Sequence, residues 1–186
     1  MSARSLVAAS LVSLAVVPAL RAQQPNPAIK DQDALIQVAM SAGPKDIADK
    51  AAIMLPGTDG KMTQLRAGTN GWTCIPDAPD TPGKDPMCAD QQAMIWVGSW
   101  LKHDPKPANT GPGLVYMLVG GSDISATDPW AKPEKGAKWI SSPPHYMIMW
   151  PFQPGTSGLP ATPKTTGTWI MWSGTPYAHL MINQKP

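Results

Sequence analysis

Two segments of the chain repeat apolar residues at the three- and four-residue spacing of an amphipathic helix. The first segment, 31–42, ends before a Gly-Pro pair, which stops a helix. The second, 86–102, begins at Pro86 with Asp85 before it, a favoured combination at a helix start. The apolar positions that share a face are Ala34, Leu35, Val38 and Ala39 in the first segment, and Ala93, Met94, Trp96, Val97, Trp100 and Leu101 in the second.

Shorter apolar runs bounded by Pro or Gly predict strands. The run 61–66 alternates and predicts the second arm of a hairpin around the turn 57–60, while 47–55 fits either a short helix or the first arm. The run 113–119 is continuously apolar, which is typical of a central strand. The other predicted strands are 68–75, 145–150, 168–172 and 178–183.

This order of elements predicts an α+β fold. Two helices together with at least four strands are most simply arranged as a small antiparallel β-sheet with both helices on one face. The chain also has 22 Pro and 16 Gly in 186 residues. Because proline is excluded from most helix and strand interiors, we expect long Pro/Gly-rich loops between the elements.

The N-terminus has the layout of a secretory signal peptide. Arg4 precedes a short apolar run, and small residues lead to a cleavage point that we place after Ala22. The sequence therefore predicts a signal peptide over 1–22, a flexible tether over 23–30 and a single α+β domain over 31–186. We expect the mature protein to be periplasmic or secreted.

Charge and hydropathy exclude two classes of partner. Removal of the signal peptide takes Arg4 and Arg21 with it, which leaves thirteen basic residues against thirteen acidic ones. A neutral chain lacks the basic surface that nucleic acid requires. No internal stretch approaches the roughly 20 apolar residues that span a bilayer, so we expect no membrane span after signal removal.

Cys74 and Cys88 are the only cysteines, fourteen positions apart. Two cysteines in a small exported domain most often form one disulfide. A redox pair would favour C-x-x-C spacing, and a zinc site would need further cysteines or spaced histidines, none of which the sequence contains. We therefore predict a structural Cys74–Cys88 disulfide.

A His-x-Met pattern occurs twice near the C-terminus, each time on a predicted strand. Because side chains two positions apart share one face of a strand, His145 lies beside Met147 and His179 beside Met181. Neutral imidazole and thioether together suit Cu(I), but methionine is also a common core filler. These four residues are the candidates for a soft-metal site.

A polar loop follows the 113–119 strand. Asp123, Ser125, Thr127 and Asp128 offer oxygen atoms that suit Ca²⁺, yet the spacing does not match an EF-hand. The same residue types before proline also form turns by accepting hydrogen bonds from their own backbone, which is the reading we favour. Asp123 at the end of a strand can still lie beside a site.

The function that fits these features best is that of a small-ligand-binding or accessory protein, with a pocket around the two strand histidines. We expect His145, His179, Asp123 and Tyr177 to lie in one pocket. The sequence does not identify a cofactor, and it does not identify the small molecule or envelope partner that the protein would bind.

Three alternatives remain open. The first is a hydrolase- or lyase-type enzyme with His145 or His179 as general base and Asp123 as its orienting partner. The second is a copper carrier that uses the His-x-Met strands, and the third is a structural envelope component. The sequence contains no nucleophile elbow, zincin motif or phosphate-binding loop, so whether the protein is an enzyme stays undecided.

The motifs W-T-C-x-P-D, M-C-x-D, G-G-S-D-x-S-x-T-D-P, P-P-H and G-T-P-Y-A-H-L-M follow one another between Trp72 and Met181. In this combination the chain resembles a group of exported bacterial hypothetical proteins. The resemblance implies a bacterial exported protein and carries no assigned activity.

Overall fold

A computed structural model describes residues 30–57, 61–152 and 154–184. Ten strands are present within these ranges, and eight of them form one sheet. In chain order the strands are Ala52–Pro56 (β1), Met62–Arg66 (β2), Thr73–Ile75 (β3), Met87–Ala89 (β4), Gly113–Met117 (β5), Gly121–Asp123 (β6), Ile140–Ser142 (β7), His145–Met149 (β8), Gly167–Met171 (β9) and His179–Asn183 (β10).

The large sheet has the spatial order β2-β1-β3-β4-β5-β8-β10-β9, and β6 pairs with β7 in a separate two-stranded sheet. The predicted α+β class is confirmed, as are the hairpin of β1 and β2 and the strands near 113–119, 145–150, 168–172 and 178–183. The sheet is larger than predicted, however. It is also mixed, because β1 and β3 are parallel whereas its other paired strands are antiparallel.

The parallel pair arises from a short crossing over residues 67–72. Strand β2 ends beside the start of β1, so the chain enters β3 at that same end and runs in the direction of β1. The crossing passes close to β1, and a Cβ on Gly68 would overlap the backbone of Ala51 and Ala52. Only glycine fits this close approach without a shift of the chain.

Four helices accompany the sheet: Gln32–Met40 (α1), Lys45–Ala48 (α2), Gln91–Leu101 (α3) and Pro154–Ser157 (α4). The prediction of a helix start at Pro86 is wrong. Residues 87–89 form β4 instead, and α3 is capped by Asp90, whose carboxylate accepts a hydrogen bond of 2.8 Å from the Ala93 N–H. Cys88 therefore lies on a strand and not in the first turn of the helix.

The Cys74–Cys88 disulfide is present and explains why β4 precedes the helix. Cys74 and Cys88 are direct partners across β3 and β4, with their Cα atoms 4.0 Å apart. Fixing these residues side by side favours strand pairing over a longer helix.

Helices α1 and α3 lie on opposite faces of the sheet, so the prediction that both helices share one face is wrong. The Cys88 sulfur lies 3.6 Å from the carbonyl oxygen of Ala39 in α1, while the next residue, Ala89, packs with Ala93 of α3. Because successive residues of a strand point to opposite faces, the two helices cover different faces. Both faces of this sheet are apolar, so each face must be shielded from water by another part of the chain.

Within the described ranges, no helix has the length and hydropathy to cross a membrane. The predicted signal peptide, 1–22, and residues 23–29 of the predicted tether lie outside the described residues.

A methionine-lined cavity as the candidate functional site

A cavity of about 520 Å³ lies between one face of the large sheet, helix α3 and the proline-rich loop 76–86. Its lining is mainly apolar and includes seven methionines, although methionine makes up only 11 of 186 residues. These methionines are Met62, Met87, Met117, Met147, Met149, Met171 and Met181. We call this space the methionine cavity.

The register of the strands builds the floor of the methionine cavity. Val115 pairs with Met147 across β5 and β8, and Met147 pairs with Met181 across β8 and β10. This central row lies between two histidines on the same face, because His145 precedes Met147 and His179 precedes Met181 by two positions. The floor is therefore a thioether row with an imidazole on each side.

The two histidines lie at opposite ends of this row. His145 pairs with Met117 on β5 and with Asn183 on β10, and His179 pairs with Met171 on β9. His179 and Asn183 are four residues apart on one strand, so the two histidine Cα atoms are separated by roughly 13 Å along the strand direction.

Backbone carbonyl oxygens fix both imidazoles. Nδ1 of His145 lies 2.7 Å from the Pro143 carbonyl oxygen, and Nδ1 of His179 lies 3.0 Å from that of Tyr177. Because a carbonyl oxygen can only accept, Nδ1 carries the hydrogen and Nε2 keeps its lone pair in the neutral ring. Neither Nε2 makes a hydrogen bond with a residue that the structure describes.

Burial keeps both imidazoles neutral. His145 and His179 are 1% and 2% exposed. Burial lowers the pKa of His179 from 6.5 to about 4, against the opposing effect of the Tyr177 hydrogen bond and with a small further decrease from His145. Burial lowers the pKa of His145 in the same direction. At neutral pH each ring therefore presents an acceptor and no charge.

Indole rings form a second wall of the cavity. Trp96 and Trp172 stack with centroids 5.8 Å apart, and the His179 ring stands edge-on to them at 5.4 and 5.0 Å. The Trp172 N–H donates to the Ser125 carbonyl oxygen at 3.0 Å, which fixes that ring. In contrast, the buried Trp96 Nε1 has no hydrogen-bond partner among the described residues.

The rim of the cavity is acidic. Four carboxylates line it, and no lysine or arginine is among the described lining residues. The loop 76–86 is closed by hydrogen bonds to Asp85, whose Oδ1 accepts from the Thr81 hydroxyl at 2.9 Å, and to Asp77, whose Oδ1 accepts from the Asp85 N–H at 2.7 Å. The four carboxylates are those of Asp77, Asp80, Asp85 and Asp123.

Two of these carboxylates hold a proton more tightly than an exposed aspartate does. Burial raises the pKa of Asp123 from 3.8 to about 6, with a small contribution from the negative charge of Asp85. Burial also raises the pKa of Asp85 to about 6, helped by its hydrogen bond with Asp77 and the charge of that residue. Placing negative charge at this rim therefore costs free energy.

The structure brings together three of the four residues that the sequence predicts for one pocket. His145, His179 and Asp123 line the methionine cavity, whereas Tyr177 is not among its lining residues. Tyr177 lies in the turn before β10, and its hydroxyl donates to the carbonyl oxygen of Asp104 at 2.9 Å. The Tyr177 ring packs edge-on against Trp96 of the indole wall, with centroids 5.1 Å apart.

Asp123 does not orient either histidine. Its Oδ1 accepts a hydrogen bond from the Ser125 N–H at 2.9 Å, and the Nδ1 atoms of both histidines are engaged by backbone carbonyls. The His/Asp pair expected for a general base is therefore not formed.

The loop after β6 is built from the turns that its sequence predicts. The Ser125 hydroxyl oxygen accepts from the Thr127 and Asp128 N–H groups at 3.2 and 2.9 Å, and the Asp128 carboxylate accepts from the Trp130 N–H at 2.9 Å. Among the described residues, no group of three or more His, Cys, Asp or Glu side chains is placed to hold a metal ion.

Sequence reasoning missed two components of the site, the indole wall and the acidic loop. Trp96 fits the core-facing stripe of α3 and is indistinguishable there from a core residue. Asp77, Asp80 and Asp85 belong to a loop whose position depends on the Cys74–Cys88 bond and on contact with β6, where a Cβ on Gly83 would overlap the Ser122 hydroxyl. The sequence signal that could have indicated this site is the set of methionines on the predicted strands, Met147, Met149, Met171 and Met181.

Comparison of the chain with protein-family models, with curated proteins and with solved structures finds no match in any of the three. The geometry of the methionine cavity is therefore the basis for assigning a function.

Proposed function

We propose that this protein binds a small, predominantly apolar molecule in the methionine cavity. The observation that carries this proposal is the volume of about 520 Å³ beside a packed core, with a lining of thioethers and indoles. Ligand sites commonly have volumes of about 300–1,000 Å³, with an apolar lining and a few polar groups that orient the ligand. Here those polar groups are the Nε2 atoms of His145 and His179 and the rim carboxylates.

The chemistry of the lining supports an apolar ligand. Methionine side chains are flexible and polarisable, so a surface made of them adapts to molecules of different shape. The two histidines are held neutral by burial, and their Nε2 atoms are available to accept hydrogen bonds from a ligand hydroxyl or N–H. These two acceptors can orient one polar group of an otherwise apolar molecule.

Calorimetric titration with phenylbutanol tests this proposal, because this alcohol combines an apolar body with one hydroxyl. The exposed rim residue Ala78 lines the cavity, so Ala78→Trp should obstruct its entrance with little effect on the core. The matched control is Ala67→Trp, an exposed position outside the lining. We expect the wild type and the control to bind phenylbutanol saturably. The affinity of Ala78→Trp should be lower by about ten-fold or more. Equal binding by both variants, or no binding to the wild type, would contradict the proposal.

Binding of Cu(I) is a second candidate function, favoured by one local contact. A Cβ on Gly121 would lie 3.4 Å from Cε1 of His145 and 3.7 Å from Sδ of Met117, so this imidazole and this thioether converge. Together with Met147 they form a soft ligand set of the kind that Cu(I) accepts. His179 and Met181 lie at the other end of the floor, so the four residues predicted from sequence do not surround a single point.

Competition for Cu(I) against a chromogenic chelator distinguishes this second candidate from the first. The variant Met117→Leu removes the thioether at nearly constant volume, and Met54→Leu is the control outside the cavity. Stoichiometric Cu(I) uptake that is lost only in Met117→Leu would favour the metal. Equal Cu(I) uptake by both variants, or no uptake, would exclude Cu(I) binding at this site.

We also infer export to a periplasm or to the medium. The Cys74–Cys88 disulfide supports this inference, because disulfides persist in oxidising compartments. Cell fractionation followed by mass spectrometry of the N-terminus tests it. A cytoplasmic chain that retains residues 1–22 would overturn it.

A further inference from the structure

The charged side chains that line the methionine cavity are all acidic. Its rim carries the carboxylates of Asp77, Asp80, Asp85 and Asp123, and no lysine or arginine is among the described lining residues. The titratable groups that face these carboxylates across the cavity, His145 and His179, are buried and neutral. The rim of the cavity therefore offers negative charge and hydrogen-bond acceptors, whereas the Trp96 N–H, which has no partner among the described residues, belongs to the indole wall beside His179.

The interior of the cavity suits a group that bears positive charge close to an apolar body. His145 lies at the end of the floor beside β6, the strand that carries Asp123, because a Cβ on Gly121 would be 3.4 Å from its Cε1. The residue is 1% exposed, and its Nε2, which has no hydrogen-bond partner among the described residues, is an acceptor for an ammonium N–H. This unsatisfied acceptor is an observation independent of the acidic rim.

From these groups we infer that the ligand of the methionine cavity is an amphipathic organic cation, with an ammonium group at the acidic rim and an apolar body over the thioether row. This inference deepens the proposed function and rests on it. The carboxylates supply opposite charge and the neutral His145 imidazole supplies a hydrogen-bond acceptor, while Met147 and Met181 contact the apolar body.

The alternative head groups fit the rim less well. A carboxylate or phosphate head would meet four acidic side chains without a basic partner, which is repulsive. A neutral head would leave the half-buried carboxylates of Asp85 and Asp123 uncompensated. An ammonium group offsets that cost, because opposite charge stabilises the ionised form of a carboxyl group.

Three ligands of one shape test the inference: phenylbutylamine, phenylbutanol and phenylbutyrate, titrated calorimetrically at about pH 7.5, where the amine is charged. We expect the amine to bind about ten-fold more tightly than the alcohol, and the carboxylate to bind at least about ten-fold more weakly than the alcohol. Comparable binding of amine and alcohol, or tightest binding of the carboxylate, would overturn the cation inference while the proposed function stands. Absence of binding by all three would overturn both.

Two matched double variants test whether the rim carboxylates cause the preference for the amine. Asp85→Asn with Asp123→Asn keeps acceptor oxygens for the loop hydrogen bonds and removes two rim charges. Asp46→Asn with Asp128→Asn removes two charges at exposed positions outside the cavity. The rim variant should lose the preference for amine over alcohol, whereas the control should keep it. A preference that survives in the rim variant would overturn the inference, and Asp123→Asn alone provides the same comparison with a smaller expected effect.

Discussion

His179 repeats the hydrogen bond that His145 makes. Each histidine is the first residue of its strand, and each directs Nδ1 to the carbonyl oxygen two positions earlier, at 3.0 Å for His179 and 2.7 Å for His145. The local backbone thus fixes tautomer and ring orientation without a carboxylate. Both Nε2 lone pairs remain for a ligand, at the two ends of the row formed by Met147 and Met181.

The stability contributed by His179 should be lost as pH falls. Its pKa is 6.5 in the unfolded chain and about 4 in the folded protein, so between these values the unfolded chain binds more protons. The contribution is therefore complete above about pH 6.5 and decreases towards pH 4. We expect the stability difference between wild type and His179→Gln to shrink by on the order of 2 kcal/mol from about pH 7.5 to about pH 5.

Urea unfolding at the two pH values measures this difference. Ala67→Gln, at an exposed position without a titratable side chain, is the control, and its stability relative to wild type should not change with pH. A constant difference for His179→Gln would mean that the ring is not held neutral by burial.

Asp123 should give a pH dependence of opposite sign. Its pKa is about 6 in the folded protein and 3.8 in the unfolded chain, so stability is greatest below pH 3.8 and decreases as pH rises through 6. Asp123→Asn should thus be more stable than wild type at about pH 7.5, by on the order of 2 kcal/mol, and this gain should vanish near pH 4. Denaturant unfolding of this variant and of exposed Asp128→Asn checks the sign. A loss of stability at neutral pH only in Asp123→Asn would refute the account of the rim.

The disulfide should stabilise the fold by closing the loop that carries the acidic rim. Removal of the cross-link in Cys74→Ala with Cys88→Ala should lower the free energy of unfolding by about 3 kcal/mol, mainly through the unfolded chain. Equilibrium unfolding under oxidising conditions measures this change. A double variant as stable as the wild type would contradict a stabilising role for the bond.

Two glycines should respond to alanine in opposite directions. A Cβ on Gly113 would overlap the backbone of Ala93, so Gly113→Ala must push α3 away from β5 and should cost about 2 kcal/mol or more. Gly98 lies within α3 with open space around it, and Gly98→Ala should stabilise by about 0.5–1 kcal/mol. Thermal unfolding of both variants tests this contrast. Equal effects would mean that the close approach of α3 to the sheet is not as described.

Sequence periodicity was sufficient for the strands that form the floor of the cavity and insufficient for the arrangement of the helices. The runs that contain His145 and His179 alternate in a way that fixes which residues share a face, once each run is a strand. The placement of α1 and α3 on opposite faces depends on the pairing of Cys88 beside Cys74, which is a contact between distant segments. A local pattern contains no information on that pairing.

The start of α3 illustrates the same limit. Asp85 and Pro86 form a favourable helix start, yet residues 87–89 pair with two strands and Asp90 takes over the cap. The hydrogen bonds of two ladders outweigh a local preference of about 1 kcal/mol. Tyr177 was expected in the same pocket, but its hydroxyl donates to the Asp104 carbonyl oxygen and the residue does not line the cavity.

Methyl resonances of isotope-labelled methionine test the central claim, binding in the methionine cavity, most directly. Addition of phenylbutanol should shift the resonances of the methionines that line the cavity, with Met147 and Met181 among the most affected. Met40, Met54 and Met94 lie outside the lining and should not move. Shifts confined to those three residues, or no shifts at saturating ligand, would contradict the account.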